Sequence, residues 1–209
     1  EFEGVRFDMT FWPAVCYCAA CRARHAAEAG GEPPRVVDWS DPRWIRFQRC
    51  RERWLAEFAG MLTEAARASR PGLSVEHQAS TYPANWRFGV TDLLAEHNDF
   101  LQGDFYGDSL QGSMARKLLS NLSKNRPIAF ETSAAITLQN STALKSPALL
   151  EAKACASLAD GAAFLFIDTV DPVGTVNPEV YRRMGRVFER LRAYDAYLGG
   201  ERVEDAALY

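Results

Sequence analysis

The chain has 209 residues, 47% of them hydrophobic and 24% charged, an ordinary composition for a soluble globular protein with a sizeable core. Its net charge is −3 and its lysines and arginines are scattered, so the sequence lacks the concentrated basic face that a nucleic-acid-binding surface requires. The longest apolar run, residues 161–167, is far too short to cross a bilayer, and we expect no membrane partner.

The first predicted elements are a short strand and two helices. Apolar and polar residues alternate over residues 5–8, which predicts a strand that ends at Asp8. A short helix is expected over Ala19–Ala29, because two glycines follow it. Asp41 before Pro42 predicts the start of a long helix, since the first residue can cap it and the second suits its first turn. The residues expected on its buried face are Trp44, Phe47, Trp54, Phe58, Met61, Leu62 and Ala65.

The rest of the chain repeats this order of elements. Further strands are expected at residues 73–78, 100–105, 127–132 and 162–167. Helical patterns occur at residues 90–97, 110–122 and 147–159, and again from residue 178 to the glycine pair at 199–200. Residues 203–209 have the pattern of one more strand. This alternation predicts the α/β class, with a parallel sheet, right-handed crossovers and helices outside.

Acidic residues stand where the predicted strands end. The four residues at these positions are Asp8, Asp104, Glu131 and Asp168. In parallel α/β folds the carboxyl ends of the strands face the ligand crevice, in open sheets and barrels alike. The repeated placement of carboxyl groups at this edge therefore predicts an enzyme.

Three of the five cysteines, Cys16, Cys18 and Cys21, fall within six residues. This spacing suits a tetrahedral zinc site in a reducing compartment better than a secreted disulfide framework, and we expect a cytoplasmic protein. A closed structural site needs a fourth ligand, for which His25, one helical turn past Cys21, is the candidate nearby. The alternative is that the cysteines are reduced and packed under a loop.

With these residues the sequence resembles the barrel domain of bacterial glycoside hydrolases, namely the zinc-containing β-galactosidases that carry a trimerisation domain and the related α-L-fucosidase-like proteins. The resemblance rests on Phe7-Asp8-Met9 with the C-x-C-x-x-C run. It continues through residues 38–44, 74–78, 103–107 and 166–174. It implies that residues 1–200 are strands four to eight of a (β/α)8 TIM barrel, with a Cys-rich loop at 9–43. Residues 201–209 would begin a flavodoxin-like domain, and strands one to three would precede residue 1.

Two features depart from the β-galactosidase pattern. Those enzymes place an Asn-Glu pair at the end of strand four, with the glutamate as general acid/base, where this chain has Phe7-Asp8. An aspartate there is closer to the α-L-fucosidase pattern, in which it is the nucleophile. Those galactosidases also take a fourth zinc cysteine from an upstream position that this sequence does not include.

The resemblance implies a retaining exo-glycoside hydrolase of α-L-fucosidase or β-galactosidase type, acting on a terminal sugar of an oligosaccharide or glycoside. Retention requires two carboxyl groups about 5–5.5 Å apart. We assign Asp8 as the nucleophile and Glu131 as the acid/base, with Asp104 and Glu76 as substitutes for Glu131. The structural alternative is that each acid caps a helix or pairs with an arginine.

We expect a homo-oligomer in the intact protein. A catalytically inactive carbohydrate-binding barrel is the alternative function. A zinc-stabilised nucleotide-binding domain is disfavoured, because no Gly-rich loop follows a strand.

Six residues near the strand ends are expected to bind the sugar. They are Trp12, His77, Trp86, Asp104, Tyr106 and Asp168. Aromatic rings in loops can stack on the apolar face of a sugar, and polar groups can bond its hydroxyls. The alternative for the aromatic residues is ordinary packing, and for His77 a buried role with its hydrogen bonds satisfied inside the protein.

Overall fold

The computed structural model describes residues 2–82, 84–138, 140–201, 203 and 205–206. The chain forms two compact units. The first unit comprises Glu1–Leu101 and Leu122–Lys124, and the second comprises Gln102–Asn121 and Asn125–Tyr209. None of the helices in the described ranges is long and apolar enough to cross a membrane.

The first unit pairs two strands beside a long helix. Its elements are β1 (Gly4–Phe7), α1 (Ala19–Ala29), α2 (Pro42–Ser69), β2 (Ser74–His77), a 3₁₀ helix (Trp86–Phe88) and α3 (Asp92–Ala95). The strands β1 and β2 are parallel, with Phe7 opposite His77. The prediction for the start of α2 is confirmed, because the Asp41 side chain accepts a hydrogen bond from the Arg43 backbone N–H at 2.8 Å.

The aromatic core of the first unit lies against α2. Trp44, Phe47 and Trp54 are buried, as predicted. Phe58 and Met61 are not: they are 46% and 62% exposed. Along α2 the buried residues continue at a spacing of four. Because four residues make slightly more than one helical turn, the buried stripe shifts by about 40° around the helix at each step. It therefore moves away from Phe58 and Met61, which line an apolar groove of about 500 Å³ instead.

The second unit contains a three-stranded parallel sheet. Its elements are β3 (Gln102–Asp104), α4 (Ser109–Leu122), β4 (Ala129–Ser133), β5 (Ala135–Thr137), β6 (Asn140–Leu144), α5 (Pro147–Ala159), β7 (Ala163–Ile167), α6 (Pro178–Leu191) and a 3₁₀ helix (Arg192–Tyr197). The order in the sheet is β3-β4-β7. The Phe130 ring stacks between those of Phe105 and Phe164, at centroid distances of 5.1 and 6.5 Å.

Parallel strands alternating with helices are as predicted, with three differences. Within the described ranges the strands form separate parallel sheets of two and three strands, not one sheet of five. The antiparallel hairpin of β5 and β6 was expected to be a loop; its strands have only three and five residues and carry no clear alternation. The apolar sequence of β7 predicts burial on both faces, but β7 lies at the edge of the sheet and Leu165 remains exposed. The strand expected at residues 203–209 falls largely on residues outside the described set.

Candidate active site

The carboxyl end of β1 presents Asp8 beside an arginine. The Asp8 side chain is 68% exposed, and its Oδ1 lies 4.0 Å from Nη2 of Arg6. The same guanidinium also reaches Glu76 on β2, with 3.3 Å between Arg6 Nε and Glu76 Oε2. Arg6 and Glu76 are register partners, so their side chains share one face of the β1–β2 pair. Arg6 thus connects an exposed carboxylate to a buried one.

The residue after Asp8 adopts an uncommon backbone conformation. Met9 has a φ of 54°, in the left-handed region that costs a non-glycine residue about 1–2 kcal/mol. Its N–H donates to Asp8 Oδ1 at 2.9 Å and to Gln78 Oε1 at 3.1 Å. Gln78 follows β2, so the second strand end holds the turn that carries Asp8. Strained turns of this kind occur often at functional sites.

His77 is fully buried beneath this strand end. Its two ring nitrogens lie within hydrogen-bond distance of the hydroxyls of Thr10 and Thr63. Burial, and then the nearby His97, lower the pKa of His77 to about 4. A histidine with both nitrogens occupied inside the protein has nothing left for a sugar hydroxyl. These contacts favour the structural alternative for His77.

Trp12 and Trp86 are also used in packing. The indole N–H of Trp12 donates to the Arg51 carbonyl on α2 at 2.9 Å. Trp86 packs edge-on against the buried Trp44, with ring centroids 5.6 Å apart at 86°. Both rings are partly buried against the aromatic core of the first unit. For these two residues the packing alternative is the better supported one.

In the second unit, Asp104 ends β3 and is the register partner of Glu131, which lies in the middle of β4 and not at the strand end predicted for it. Their side chains therefore stand on the same face of adjacent strands, whose backbones are about 4.8 Å apart. Glu131 is 4% exposed. The exposed Tyr106 donates its hydroxyl to the carboxylate of Asp104. This strand end combines a buried carboxyl group, a second acid and an accessible aromatic ring.

Asp168 follows β7 at the same end of the sheet. Its Oδ2 is buried and has no hydrogen-bond partner among the described residues. A buried polar atom without a partner costs about 1–3 kcal/mol. Because this atom is enclosed by the protein, the sugar-binding role of Asp168 stays a prediction.

The structure groups the predicted acids by unit. Asp8 lies with Arg6 and Glu76 in the first unit, and Asp104 lies with Glu131 in the second. Asp8 and Glu131 belong to different units, and the separation expected for a retaining pair stays a prediction.

Two residues near the strand ends were missed by sequence reasoning. Arg6 could have been found, because it stands two residues before Asp8 on an alternating strand and so shares its face.

Lys145 carries no such signal in the sequence. It is buried, and its Nζ donates to the Ser133 carbonyl at 2.7 Å, to Ser133 Oγ at 2.8 Å and to the Ala135 carbonyl. Burial, and then Lys153, lower the pKa of Lys145. Lys145 thereby fixes the chain directly after β4.

The three clustered cysteines are brought together at the start of α1. The sulfur atoms of Cys16, Cys18 and Cys21 all lie within 4.8 Å of one another. Zinc–sulfur bonds of about 2.3 Å in a tetrahedron place sulfur atoms roughly 3.8 Å apart, so a small inward movement would let them occupy three corners. The donor set and its spacing fit a structural zinc ion.

The thiols differ in acidity. The pKa of Cys18 is lowered to about 7, chiefly because the Cys21 backbone N–H stabilises the thiolate, and then through the thiols of Cys16 and Cys21. The pKa of Cys21 is raised to about 12, chiefly by burial and then by its two thiol neighbours. Metal binding requires thiolates, so a bound cation would release the remaining protons.

His25 is not brought into the three-thiol group. Its Nδ1 lies 3.1 Å from the Gly31 carbonyl, and its ring packs edge-on against Phe47 at 5.2 Å. Its Nε2 is buried without a hydrogen-bond partner in the part of the chain that the structure describes. A fourth ligand would therefore have to come from elsewhere.

Comparison of the sequence with protein-family models gives no match, and comparison with curated protein sequences gives none either. The structure, in contrast, is similar to solved glycoside hydrolases. Against α-L-fucosidase isoenzyme 2 from Paenibacillus thiaminolyticus the TM-score is 0.63 at 19% identity, covering 93% of this chain and 28% of that one. Against β-galactosidase from Bacillus circulans sp. alkalophilus it is 0.66 at 16% identity, covering 86% and 34%.

A third neighbour is the PgaB (BpsB) glycoside hydrolase domain from Bordetella bronchiseptica. Here the TM-score is 0.62 at 13% identity, over 92% of this chain and 56% of that domain. The chain thus spans from about a quarter to just over half of the length of these proteins. At such identities the likeness establishes the fold: the chain has a glycoside hydrolase-like arrangement of helices and parallel strands.

Proposed function

We propose that this chain forms part of a retaining exo-glycoside hydrolase of α-L-fucosidase or β-galactosidase type. Residues 1–200 would supply strands four to eight of a (β/α)8 barrel, and the substrate would be a terminal sugar of an oligosaccharide or glycoside. One observation carries the proposal: a fold shared with glycoside hydrolases has three acids, Asp8, Asp104 and Asp168, where its parallel strands end. That edge is where barrel enzymes hold their catalytic residues.

In the proposed reaction Asp8 attacks the anomeric carbon and Glu131 gives its proton to the leaving oxygen. The bond between the anomeric carbon and that oxygen breaks, and a glycosyl ester forms on Asp8. The Glu131 carboxylate then takes a proton from water, the water oxygen bonds to the anomeric carbon, and the ester breaks. Two inversions at one carbon retain its configuration.

The surroundings of the two acids support this division of roles. Asp8 is exposed beside the Arg6 cation, as suits a carboxylate that must be charged to attack. Glu131 is buried, with Asp104 as its register partner on the adjacent strand. Glu76 is a weaker substitute, because it is buried in an ion pair with Arg6.

Cys16, Cys18 and Cys21 would hold a structural zinc ion with a fourth ligand from outside the group, as the resemblance to the β-galactosidases implies. Such a site, closed by sulfur ligands, would stiffen the loop at residues 9–43 and would not activate water. Elemental analysis of the full-length protein should find about one zinc per chain, and substitution of Cys18 by serine should lower it. We further propose a homo-oligomer with a flavodoxin-like domain from residue 201.

The proposal is tested with Asp8→Asn in the full-length protein and a panel of nitrophenyl glycosides. The wild type should hydrolyse at least one α-L-fucoside or β-galactoside, and the variant should lose that hydrolysis while still binding the free sugar. The matched control is Asp171→Asn, in a turn of the second unit, which should leave activity unchanged. Sugar binding by a wild type that hydrolyses none of the panel would instead establish the inactive carbohydrate-binding barrel.

A further inference from the structure

We propose that His77 is a positioning residue for Asp8: its ring, whose Nε2 is bonded to Thr63, fixes the residues on both sides of the Asp8–Met9 turn. The inference rests on the proposed catalytic role of Asp8. It differs from a sugar-binding role, because His77 is fully buried and acts only through other residues.

The first step is the contact of His77 with both flanks of the turn. Phe7 is the register partner of His77, and the two rings stack with centroids 5.0 Å apart at 19°. Thr10, on the other side of the turn, places its Oγ1 3.3 Å from His77 Nδ1. The Asp8–Met9 dipeptide therefore lies between two residues held by one imidazole ring.

The second step is the assignment of the tautomer. The Thr63 hydroxyl donates its single proton to the His97 carbonyl at 3.1 Å, so it can only accept from His77 Nε2, 2.8 Å away. A neutral His77 protonated at Nε2 has a lone pair on Nδ1, which accepts the hydroxyl proton of Thr10. For a neutral ring the network leaves one arrangement of protons that satisfies all three side chains.

The third step is that the ring itself is fixed to the rest of the unit. The His77 backbone N–H donates to Asn98 Oδ1, and Asn98 Nδ2 donates to the Leu94 carbonyl of α3 at 2.9 Å. Thr63 belongs to α2. The ring is thus held from β2, α2 and α3, and this support reaches the turn through Thr10 and Phe7.

The arrangement also has a defined way to fail. Thr10 Oγ1 lies 3.2 Å from the Phe7 carbonyl, which is a second acceptor for its proton. When the ring nitrogen at this position is removed, the hydroxyl can bond only within its own turn, and the connection from the turn to His77 is lost. We expect Asp8 then to sample positions that are not productive, and a misplacement of about 1 Å can cost on the order of 100-fold in rate.

The test compares His77→Phe, which keeps a ring against Phe7 but loses both hydrogen bonds, with His77→Gln, which can still accept from Thr10. His97→Gln is the matched control, because the His97 ring lies against Gly60 of α2. In the full-length protein we expect His77→Phe to lower kcat about 100-fold while KM stays within about threefold of the wild-type value. His77→Gln should recover part of this loss in kcat. His97→Gln should have the kcat and KM of the wild type. A kcat in His77→Phe equal to that of the wild type overturns the proposal.

If circular dichroism shows that His77→Phe does not fold, Thr10→Val and Thr10→Ser replace it. Thr10→Val should lower kcat about tenfold and Thr10→Ser should restore it; equal rates in the two overturn the proposal. If the wild type hydrolyses no glycoside, the proposed function fails, and hydrogen exchange at the Met9 amide decides the positioning role by itself. Faster exchange in the Thr10→Val and His77 variants, but not in His97→Gln, supports it, and unchanged exchange refutes it.

Discussion

The two units place their candidate catalytic carboxyl groups in opposite surroundings. In the first, Asp8 is exposed, and the chain around it is tightly held by Arg6, Gln78 and the buried His77. In the second, Glu131 is itself buried, in register with a second acid. One site fixes the backbone and leaves the carboxylate in solvent, whereas the other removes the carboxyl group from solvent. This contrast is the basis for proposing that one acid is the nucleophile and the other the proton donor.

The largest expected effect separates these two roles by leaving group. Asp8→Ala should lose on the order of 10⁴-fold in kcat/KM with every substrate, since no other group can form the ester. Glu131→Ala should lose about 10²–10⁴-fold with a poor leaving group and much less with dinitrophenolate, which departs without a proton. Rates with paired glycosides of high and low leaving-group pKa provide the measurement. Equal sensitivity to the leaving group in both variants would remove the distinction between the two units.

The units also differ in their cores. All five tryptophans lie in the first unit, so tryptophan fluorescence reports on that unit alone. Trp44→Ala should lower its free energy of unfolding by about 3–5 kcal/mol, because Trp44 is fully buried among other aromatic rings. Trp39→Ala, which removes a half-exposed ring against Trp44, should cost about 1 kcal/mol or less. Urea unfolding followed by the remaining tryptophans measures both, and equal losses would contradict the assigned core.

A smaller effect concerns pH and again belongs to the first unit. Burial and His97 lower the pKa of His77 from 6.5 to about 4, so between these values the unfolded chain binds a proton that the folded chain does not. The contribution of neutral His77 to the free energy of unfolding should therefore be complete above about pH 6.5. It should be lost, by about 3 kcal/mol, as the pH drops to 4.

His77→Gln removes this titration, so the difference between wild type and variant isolates it. Fluorescence-detected urea unfolding at several pH values checks it, with His97→Gln retaining most of the dependence. Parallel pH curves for the wild type and His77→Gln would show that His77 is not held neutral.

Sequence patterns located the local features that depend on neighbouring residues. The bounds of α1, the capped start of α2 at Asp41 and the start of α6 at Pro178 follow from the chemistry of single turns. Burial and partners could not be obtained this way. The tight packing of Trp12, the two threonines around His77 and the buried Lys145 all depend on residues distant in sequence. For the same reason the sequence placed Asp8, Asp104 and Asp168 correctly at strand ends but did not give their surroundings, and Glu131 lies in the middle of its strand.

The smallest expected losses of stability come from removing helix caps, and these losses should be equal in the two units. Asp41 caps α2 and Asn177 caps α6, each through one hydrogen bond to a backbone N–H two residues ahead. Asp41→Ala and Asn177→Ala should each cost about 1 kcal/mol of unfolding free energy. Thermal unfolding by circular dichroism measures both. A loss several times larger at one cap would indicate that its helix end supports more than its own first turn.

The division of roles between the two strand ends is tested most directly by trapping the glycosyl-enzyme. The full-length protein would be treated with the 2-deoxy-2-fluoro derivative of whichever glycoside it hydrolyses, and the labelled peptide identified by mass spectrometry. The account predicts a single covalent sugar on Asp8. A sugar attached to Glu131, or to any other carboxylate, would contradict it.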